Sequence, residues 1–471
     1  MSIDKLPTRA KAAYGLGAIA FGIKDHGFSV LLMLYYNQVV GLPAGVVGVV
    51  IAIATMFDAV SDPLIGHFSD HLHSRWGRRH PFMYGSALPI ALGYFLLWMP
   101  PHASQAIQVA WLLITSIVVR IGISAYEIPS NALIAEFTSD YDERTSLSTW
   151  RALFIAVGNV GMSIVVFKLF LRPTVEQPIG QLNGPGYIQY SLFAAIVMVG
   201  GVLISGMGTH RRIPSLQKPH ALDHVGFDGL LAGLKTLFTD RAYGSIIACM
   251  FFFSVAFGLS VTLSTYLYTY FWRINADQLA AVGGGAAIGV LLALVVVPPL
   301  AKRFGKKPLC VSLYSLALVA ACLPPVLGLL GLIAREAAMP WLIAQNAVMI
   351  GGVFGGIITG TSMIADTADH IALKTGQRME GLMASALVMI NKGVSGMGIF
   401  LAGVVLTAIG FPEKASPDAI PSSVVEQLAV IFTVSMGALV GLAVICICFY
   451  PITREIHEQT LRQLGKAPAA G

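Results

Sequence analysis

Residues 279–300 read LAAVGGGAAIGVLLALVVVPPL, a run of 22 residues in which no side chain carries a charge. A helix that crosses the hydrocarbon core of a bilayer needs about 20 such residues. Asp277 precedes the run, and Lys302 and Arg303 follow it. The stretch therefore predicts a membrane-spanning helix, and it decides how the rest of the chain is interpreted.

The composition of the whole chain indicates the same class. Of the 471 residues, 56% are hydrophobic and 11% are charged, whereas a soluble protein carries about 25% charged residues. A large water-soluble domain is thereby excluded. Apolar runs separated by Gly, Pro and charged residues predict twelve spanning helices, at 12–40, 44–68, 81–100, 106–134, 148–170, 188–208, 244–271, 279–300, 308–333, 339–365, 380–409 and 425–450.

The twelve runs form two sets of six with a polar stretch between them. We predict an all-α integral membrane protein built from two pseudo-symmetric six-helix bundles. The expected divisions are an N-terminal bundle at 1–209, a cytoplasmic linker at 210–243, a C-terminal bundle at 244–450 and a cytoplasmic tail at 451–471.

Two pairs of short motifs indicate that the halves repeat each other. Gly77-Arg78-Arg79 follows the second helix, and Gly305-Lys306-Lys307 follows the eighth. Ile134-Ala135-Glu136 ends the fourth helix, and Ile364-Ala365-Asp366 ends the tenth. Duplicated halves are typical of transporters that alternate around a central site. The alternative is that Gly and basic residues recur in any tight cytoplasmic loop.

The positions of the basic residues predict the orientation. If the amino terminus is cytoplasmic, the inside segments hold 21 of the 30 Lys and Arg and the outside loops hold 5, as the positive-inside rule requires. We therefore expect both termini in the cytoplasm and a retained first helix. We also expect a monomer in the inner membrane of a bacterium.

The net charge of +6 is explained by the same rule, so a nucleic-acid partner is not expected. The five cysteines lie in apolar runs and their number is odd. They are interpreted as core or lipid-facing residues and not as a disulfide or metal framework. We expect no cofactor, and no metal other than a transported cation.

Asp58 and Asp62 form an acidic pair where the membrane disfavours charge. They lie four residues apart, so on a helix they share a face at a separation of about 6 Å. Their repulsion is relieved by a bound cation, by a proton or by a nearby lysine. Ser124 can add a hydroxyl ligand. The alternative is a carboxylate pair permanently bonded to Arg or Lys as part of the packing.

Further charges inside predicted helices form a candidate site for a solute. Glu127 precedes a proline, and Arg120 lies seven residues earlier on nearly the same face. With Arg151 they suit a polyhydroxyl or carboxylate-bearing solute, since each offers directional hydrogen bonds. The alternative is an ion-pair network without a ligand. Four more polar residues complete the candidate solute site: Lys24, Asp25, Asn131 and Lys392.

Lys392 belongs to the other half of the chain from the aspartates, with Asn391 beside it. A lysine there can neutralise the aspartates when the cation is absent, which would couple occupancy to the contact between the halves. The alternative is a lysine that reaches the membrane surface.

Charged residues at the cytoplasmic ends of the helices are candidates for a gate. Such charge pairs can latch one conformation and separate in the other. The alternative is solvated loop charge. The candidate gating residues are Asp70, Arg75, Arg78, Arg79, Glu136, Asp142, Arg144 and Arg378.

An ordered set of segments covers nearly the whole chain: YGLGAIAFGIKD (14–25), YYNQVVGL (35–42), FDAVSDPLIG (57–66), SRWGRRHPF (74–82), YEIPSNALIAE (126–136), ADTADHIALKTGQRMEGLMAS (365–385) and MINKG (389–393). Together they resemble the glycoside-pentoside-hexuronide:cation symporters of the major facilitator superfamily, the family of melibiose permease. The resemblance implies the major facilitator fold and uptake of a sugar-like solute with Na⁺ or H⁺.

The resemblance also implies roles for individual residues. Asp58, Asp62 and Ser124 match the cation site, Asp25 and Glu127 match the carboxylates that hold sugar hydroxyls, Lys24 and Arg151 match basic residues that line the sugar site, and Lys392 matches a lysine at the junction. Two residues depart from melibiose permease. Asn131 replaces a tryptophan that stacks on the sugar ring, and Arg120 replaces a small residue. Both favour another glycoside or a uronide over a galactoside.

The leading hypothesis is therefore a secondary active symporter that works by alternating access. A lysolipid carrier of the same fold and a sensor that binds solute without moving it remain alternatives. We do not expect an enzyme, because the histidines lie mostly in loops and the two aspartates share one helix, so no catalytic residue is assigned.

Overall fold

A computed structural model describes residues 6–72, 74–138, 140–175, 177–215, 237–376 and 380–464. The side chains of several helical residues, Asp142, Asn391 and Lys392 among them, are outside the description. The described residues form helices and loops and contain no strand.

Twelve long helical segments and one short helix follow each other along the described chain. In order they are α1 (Thr8–Val40), α2 (Ala44–His71), α3 (His80–Gly85 and Ala87–Leu97), α4 (Gln105–Phe137), α5 (Tyr141–Ala156, continuing through Val166–Phe170), α6 (Gly184–His210), α7 (Arg241–Tyr266, continuing through Leu267–Phe271), α8 (Ala276–Phe304), α9 (Lys306–Leu329), α10 (Ala338–Thr375), α11 (Glu380–Ala408), α12 (Ser422–Cys448) and α13 (Arg454–Gln463).

Ten of these helices are long and apolar enough to cross a membrane among the residues described. The other two long segments, α3 and α11, lie at the two remaining predicted spans. The all-helical class and an integral membrane protein are thus confirmed, and the count of exactly twelve spans stays a prediction.

The described chain forms two compact units. The first contains the described residues up to 215 together with 261–280 and 399–424. The second contains the described residues of 237–260, 281–398 and 425–464. The ends of α7 and α11 belong to the first unit. The division into bundles at 1–209 and 244–450 stays a prediction.

In the first unit, α1 and α5 approach each other through two glycines. A Cβ on Gly22 would lie 2.2 Å from the carbonyl oxygen of Ile155, and a Cβ on Gly158 would lie 2.5 Å from that of Ile19. Small residues allow the backbones of membrane helices to come this close. The crossing fixes where the polar side chains of α1 and α5 face each other.

The second unit contains a similar crossing between α7 and α11. A Cβ on Gly398 would lie 2.4 Å from the carbonyl oxygen of Val255 and 2.9 Å from the Cα of Gly258. In its main core the rings of Tyr314 and Phe253 pack together, with centroids 4.4 Å apart. Each unit therefore uses a glycine crossing at corresponding helices.

Candidate functional site

Asp58 on α2 forms an ion pair with Arg120 on α4. The Nη1 atom of Arg120 donates to Oδ2 of Asp58 at 2.5 Å. Both residues are buried, with 7% and 6% of their surface exposed. The guanidinium carbon of Arg120 lies 4.9 Å from the ring centroid of Phe28 on α1. The pairing satisfies a charge that would otherwise be costly in the membrane.

Asp62 and Ser124 flank this ion pair along the same helices. Asp62 lies one turn after Asp58 and is half-buried. Ser124 lies one turn after Arg120 and is buried. Since α2 packs along α4, the structure keeps the predicted cation-site residues on two neighbouring helices.

A second cluster joins Glu127, Asn131 and Ser130 of α4 to Arg151 of α5. Glu127, Ser130 and Arg151 are buried, whereas Asn131 is exposed. Oε1 of Glu127 accepts from Nη2 of Arg151 at 2.5 Å and from Nδ2 of Asn131 at 3.1 Å. Nη1 of Arg151 donates to the hydroxyl of Ser130 at 2.7 Å. The hydroxyl of Tyr14 on α1 donates to the Ser130 carbonyl at 2.7 Å.

This cluster retains hydrogen-bonding capacity. Oε2 of Glu127 is buried and has no hydrogen-bond partner among the described residues. A buried acceptor of this kind is costly unless something bonds to it. A carboxylate, an amide and a guanidinium in contact can together bond several hydroxyl groups of one solute.

Lys24 and Asp25 lie next to each other on α1 with different surroundings. The ammonium of Lys24 is 4.5 Å from the ring centroid of Phe21. Oδ2 of Asp25 accepts from Nδ2 of Asn159 at 2.9 Å. Asn159 lies in a π-helical turn of α5, Val157–Gly161, that sequence reasoning missed. The sequence signal for Asn159 was an amide side chain within an apolar run. Single π-helical turns are frequent at functional sites.

Two predicted residues cannot be placed. The side chain of Lys392 on α11 lies outside the described residues, as does that of Asn391. The role of Lys392 at the junction of cation and solute therefore stays a prediction.

Four of the candidate gating residues form one cluster at the ends of α2, α3 and α4. Oε1 of Glu136 accepts from Nη2 of Arg78 at 2.8 Å and from Nε of Arg79 at 3.0 Å. Arg79 also bonds Asp70 and, at 2.7 Å, the hydroxyl of Ser69. Arg79 and Glu136 are buried. The structure thus brings these residues together as an ion-pair network.

The other gating candidates lie elsewhere. Arg75 is exposed and lies over the ring of Trp76. Nε of Arg144 donates to the Thr138 carbonyl at 2.8 Å. The side chain of Asp142 and the whole of Arg378 lie outside the described residues.

The second unit contains an ion pair at the corresponding motif. Nζ of Lys306 lies 2.6 Å from Oδ1 of Asp366, and Nε2 of His457 on α13 lies 3.3 Å from the same oxygen. Lys307 donates to the Tyr450 carbonyl at 2.8 Å. Arg78 with Glu136 and Lys306 with Asp366 are therefore equivalent ion pairs in the two halves, which supports the repeat, whereas Arg79 and Lys307 have different partners. Sequence reasoning missed His457.

A buried amide cluster at the end of α1 was also missed. Oε1 of Gln38 accepts from the hydroxyl of Tyr270 at 2.9 Å and from the backbone N of Ala415 at 3.1 Å. Its Nε2 donates to the Pro412 carbonyl at 2.9 Å. The polar pair Asn37-Gln38 within YYNQVVGL was the available signal.

Among the described residues, no three His, Cys, Asp or Glu side chains form a group that could hold a metal ion.

Sequence comparison identifies relatives over nearly the whole chain. Residues 13–454 match the family described as MFS/sugar transport protein. The isoprimeverose transporter of Lactiplantibacillus pentosus is 26% identical, over 99% of this chain and 93% of its own. The putative glycoside/cation symporter YagG of Escherichia coli is also 26% identical, over 99% and 97%. All three descriptions name transporters.

Solved structures agree on the fold. The inward-open xylose transporter XylE of E. coli superposes with a TM-score of 0.62 at 13% identity, covering 96% of this chain and 98% of its own. The nucleoside transporter NupG superposes with a TM-score of 0.61 at 13% identity, covering 96% and 100%. The predicted major facilitator fold is thereby confirmed.

Proposed function

The chain belongs to the family of MFS/sugar transport proteins, and from this premise we propose that it is a secondary active symporter. It couples the entry of a monovalent cation, Na⁺ or H⁺, to the uptake of a glycoside or a related sugar or uronide. It works by alternating access in the inner membrane of a bacterium, as a monomer with both termini in the cytoplasm.

The observation that carries the proposal is the cluster of Glu127, Asn131 and Arg151, in which the carboxylate and the guanidinium are buried. Its guanidinium is almost fully buried and is bonded to two acceptors. Oε2 of Glu127 is a buried acceptor with no partner among the described residues. A sugar hydroxyl can donate to this oxygen and accept from the Asn131 amide. The site therefore suits a polyhydroxyl solute.

Coupling is supported by the arrangement along α4. Arg120, which bonds Asp58, and Glu127, which bonds Arg151, lie on nearly one face of this helix. Seven residues correspond to about 10 Å along the axis. A movement of α4 that changes one cluster must therefore also displace the other.

The class of solute is inferred from the relatives and from Asn131. One relative is named for isoprimeverose and another for glycosides. Asn131 offers an amide where melibiose permease has an aromatic ring, so a hydrogen-bonded glycoside or uronide fits better than a stacked galactoside.

The proposal is tested with the full chain reconstituted in vesicles. Accumulation of radiolabelled glycosides and uronides is measured under an imposed Na⁺ gradient or pH gradient. We expect accumulation by the wild type and its loss in Glu127→Gln, because the neutral amide no longer pairs with Arg151. Glu426→Gln, an exposed glutamate on α12, is the matched control.

The outcomes separate the alternatives. Binding of glycosides without counterflow would indicate a sensor, and transport of lysolipids but of no glycoside would indicate an amphiphile carrier. Equal accumulation by wild type and Glu127→Gln would contradict the assigned solute site.

A further inference from the structure

The contact between Arg120 and Asp58 bears on the coupling ion. Asp58 and Asp62 lie one helical turn apart on α2, and two carboxylates this close attract a cation. A cation that bound between them would need the oxygens of Asp58 as ligands. Whether a metal ion can bind between the two carboxylates therefore depends on whether the oxygens of Asp58 are available as ligands.

One of these oxygens is already bonded to a cation that belongs to the chain. Nη1 of Arg120 donates a hydrogen bond to Oδ2 of Asp58 at 2.5 Å. Arginine keeps its charge at every physiological pH, and a charge-assisted hydrogen bond of this length is strong. A metal ion that used Oδ2 would have to displace this permanently charged group. Oδ1 of Asp58 is buried and has no hydrogen-bond partner among the described residues, but an ion bound there would lie beside the guanidinium and be repelled by it.

The guanidinium is also held from a second side. Its carbon lies 4.9 Å from the ring centroid of Phe28, and Phe28 is buried on α1. A cation over an aromatic face is stabilised, most of all where water is excluded. Arg120 thus has a defined place between α1 and α2, with only 6% of its surface exposed.

The local charge leads to the same conclusion. Two carboxylates alone carry a charge of −2, whereas two carboxylates with one guanidinium carry −1. The attraction for a further monovalent ion is reduced accordingly. Arg120 also bonds a carboxylate on α2, so its contact here differs from the solute contact that the sequence predicted.

We propose that Arg120 is a built-in counter-ion that takes the place of a metal cation at Asp58. The wild-type protein then binds neither Na⁺ nor Li⁺ at this carboxylate, and its transport does not depend on either ion. This inference rests on the proposed symport function and restricts the choice of its coupling ion.

The first test measures ion binding directly. Purified full-length protein is titrated with NaCl or LiCl against choline chloride at constant ionic strength, and thermal unfolding and uptake of ²²Na⁺ by the protein are recorded. We expect no stabilisation and no bound ²²Na⁺ in the wild type. Saturable Na⁺ binding by the wild type that is lost in Asp58→Asn would overturn the proposal.

The second test removes the tethered cation. Arg120→Ala should show a saturable, Na⁺-dependent rise in Tm that the wild type lacks, because Oδ2 of Asp58 then has no tethered cation bonded to it. Arg120→Lys, which keeps a positive charge, should remain insensitive to Na⁺. The double variant Arg120→Ala/Asp58→Asn should fold without the ion pair and should not respond to Na⁺.

The proposal can still be tested if one of the variants does not fold. If Arg120→Ala cannot be purified, Na⁺ insensitivity of the wild type and of Arg120→Lys still supports the proposal, and Na⁺ binding by either that Asp58→Asn abolishes rejects it. A folded Arg120→Ala that stays insensitive to Na⁺ would also reject it.

Transport separates this inference from the proposed function. If the wild type accumulates glycoside only with Na⁺, the counter-ion role is wrong while symport stands. If no gradient drives accumulation, symport is wrong while the ion-binding results still decide the role of Arg120.

Discussion

Arg151 can serve two partners at once because its guanidinium presents several N–H groups in one plane. Nη2 bonds Glu127 and Nη1 bonds Ser130. The guanidinium carbon also lies 5.6 Å from the ring centroid of Tyr14. This one side chain therefore connects α4, α5 and α1 at the candidate solute site.

Replacing Arg151 by lysine tests this geometry. We expect Arg151→Lys to weaken glycoside binding at least tenfold, or about 1.4 kcal/mol, because a single ammonium cannot reproduce both bonds in the guanidinium plane. Binding is measured by calorimetry on purified protein. Arg172→Lys is the control, since Arg172 is exposed and its side chain donates to the Lys168 carbonyl at 2.7 Å. Unchanged affinity in Arg151→Lys would remove this residue from the site.

The buried charges of the first unit could be identified from the sequence, but the partner of Arg120 could not. Helical periodicity correctly places Arg120 and Glu127 on nearly one face. Seven residues also separate them by about 10 Å along α4, so each bonds a different helix. Tertiary packing determines which helix lies beside α4 at each level along its axis. This information cannot be obtained from a single sequence.

At the scale of the helix, the crossing of α1 and α5 depends on the absence of side chains at Gly22 and Gly158. The carbonyl oxygens of Ile155 and Ile19 lie where Cβ atoms would be. This close approach brings Asn159 to Asp25. The π-turn and the crossing were not predictable, because both depend on how the helices pack.

Gly158→Ala should therefore destabilise the protein by about 1–3 kcal/mol, the range for overpacking of a close contact. Gly161→Ala on the same helix is the matched control, since its added Cβ would lie 3.8 Å from Val157 Cγ1, an ordinary contact. Thermal unfolding in detergent should show a lower Tm for Gly158→Ala alone. Equal Tm values for the two variants would mean that the close contact between α1 and α5 at Gly158 does not contribute to the stability of the protein.

Helix bounds illustrate what hydropathy can and cannot predict. The predicted run 106–134 agrees closely with α4, Gln105–Phe137. The predicted run 339–365 ends ten residues before α10 does, at Thr375. Hydropathy ends where polar residues begin, whereas the backbone hydrogen bonds of a helix continue into the polar segment ADTADHIALKT.

At the scale of the whole chain, the repeat recovered from two short motifs is matched by contacts. Arg78 and Arg79 bond Glu136 in the first unit, and Lys306 bonds Asp366 in the second. In each unit the loop after one helix is joined to the end of another. A shared origin accounts for both pairs.

Neutralising either acid should have the same effect. We expect Glu136→Gln and Asp366→Asn each to lower the transport rate roughly tenfold, or about 1.4 kcal/mol in the barrier, with solute affinity changed less than twofold. Initial rates and equilibrium binding are compared with those of Glu426→Gln. An effect of only one variant would show that the halves do not share this role.

The asymmetry of basic residues predicts the topology of the whole chain described by this sequence. With 21 of the 30 Lys and Arg assigned to the inside and 5 to the outside, reversing the orientation would place most of these charges on the wrong side. Alkaline phosphatase, which is active only outside, should be active when fused after Arg172 or Lys414. It should be inactive when fused after Arg212 or Arg462, where a cytoplasmic fluorescent reporter should be bright. The opposite pattern would reverse the orientation of every helix, and the Arg79–Glu136 network would then face the outside instead of the cytoplasm.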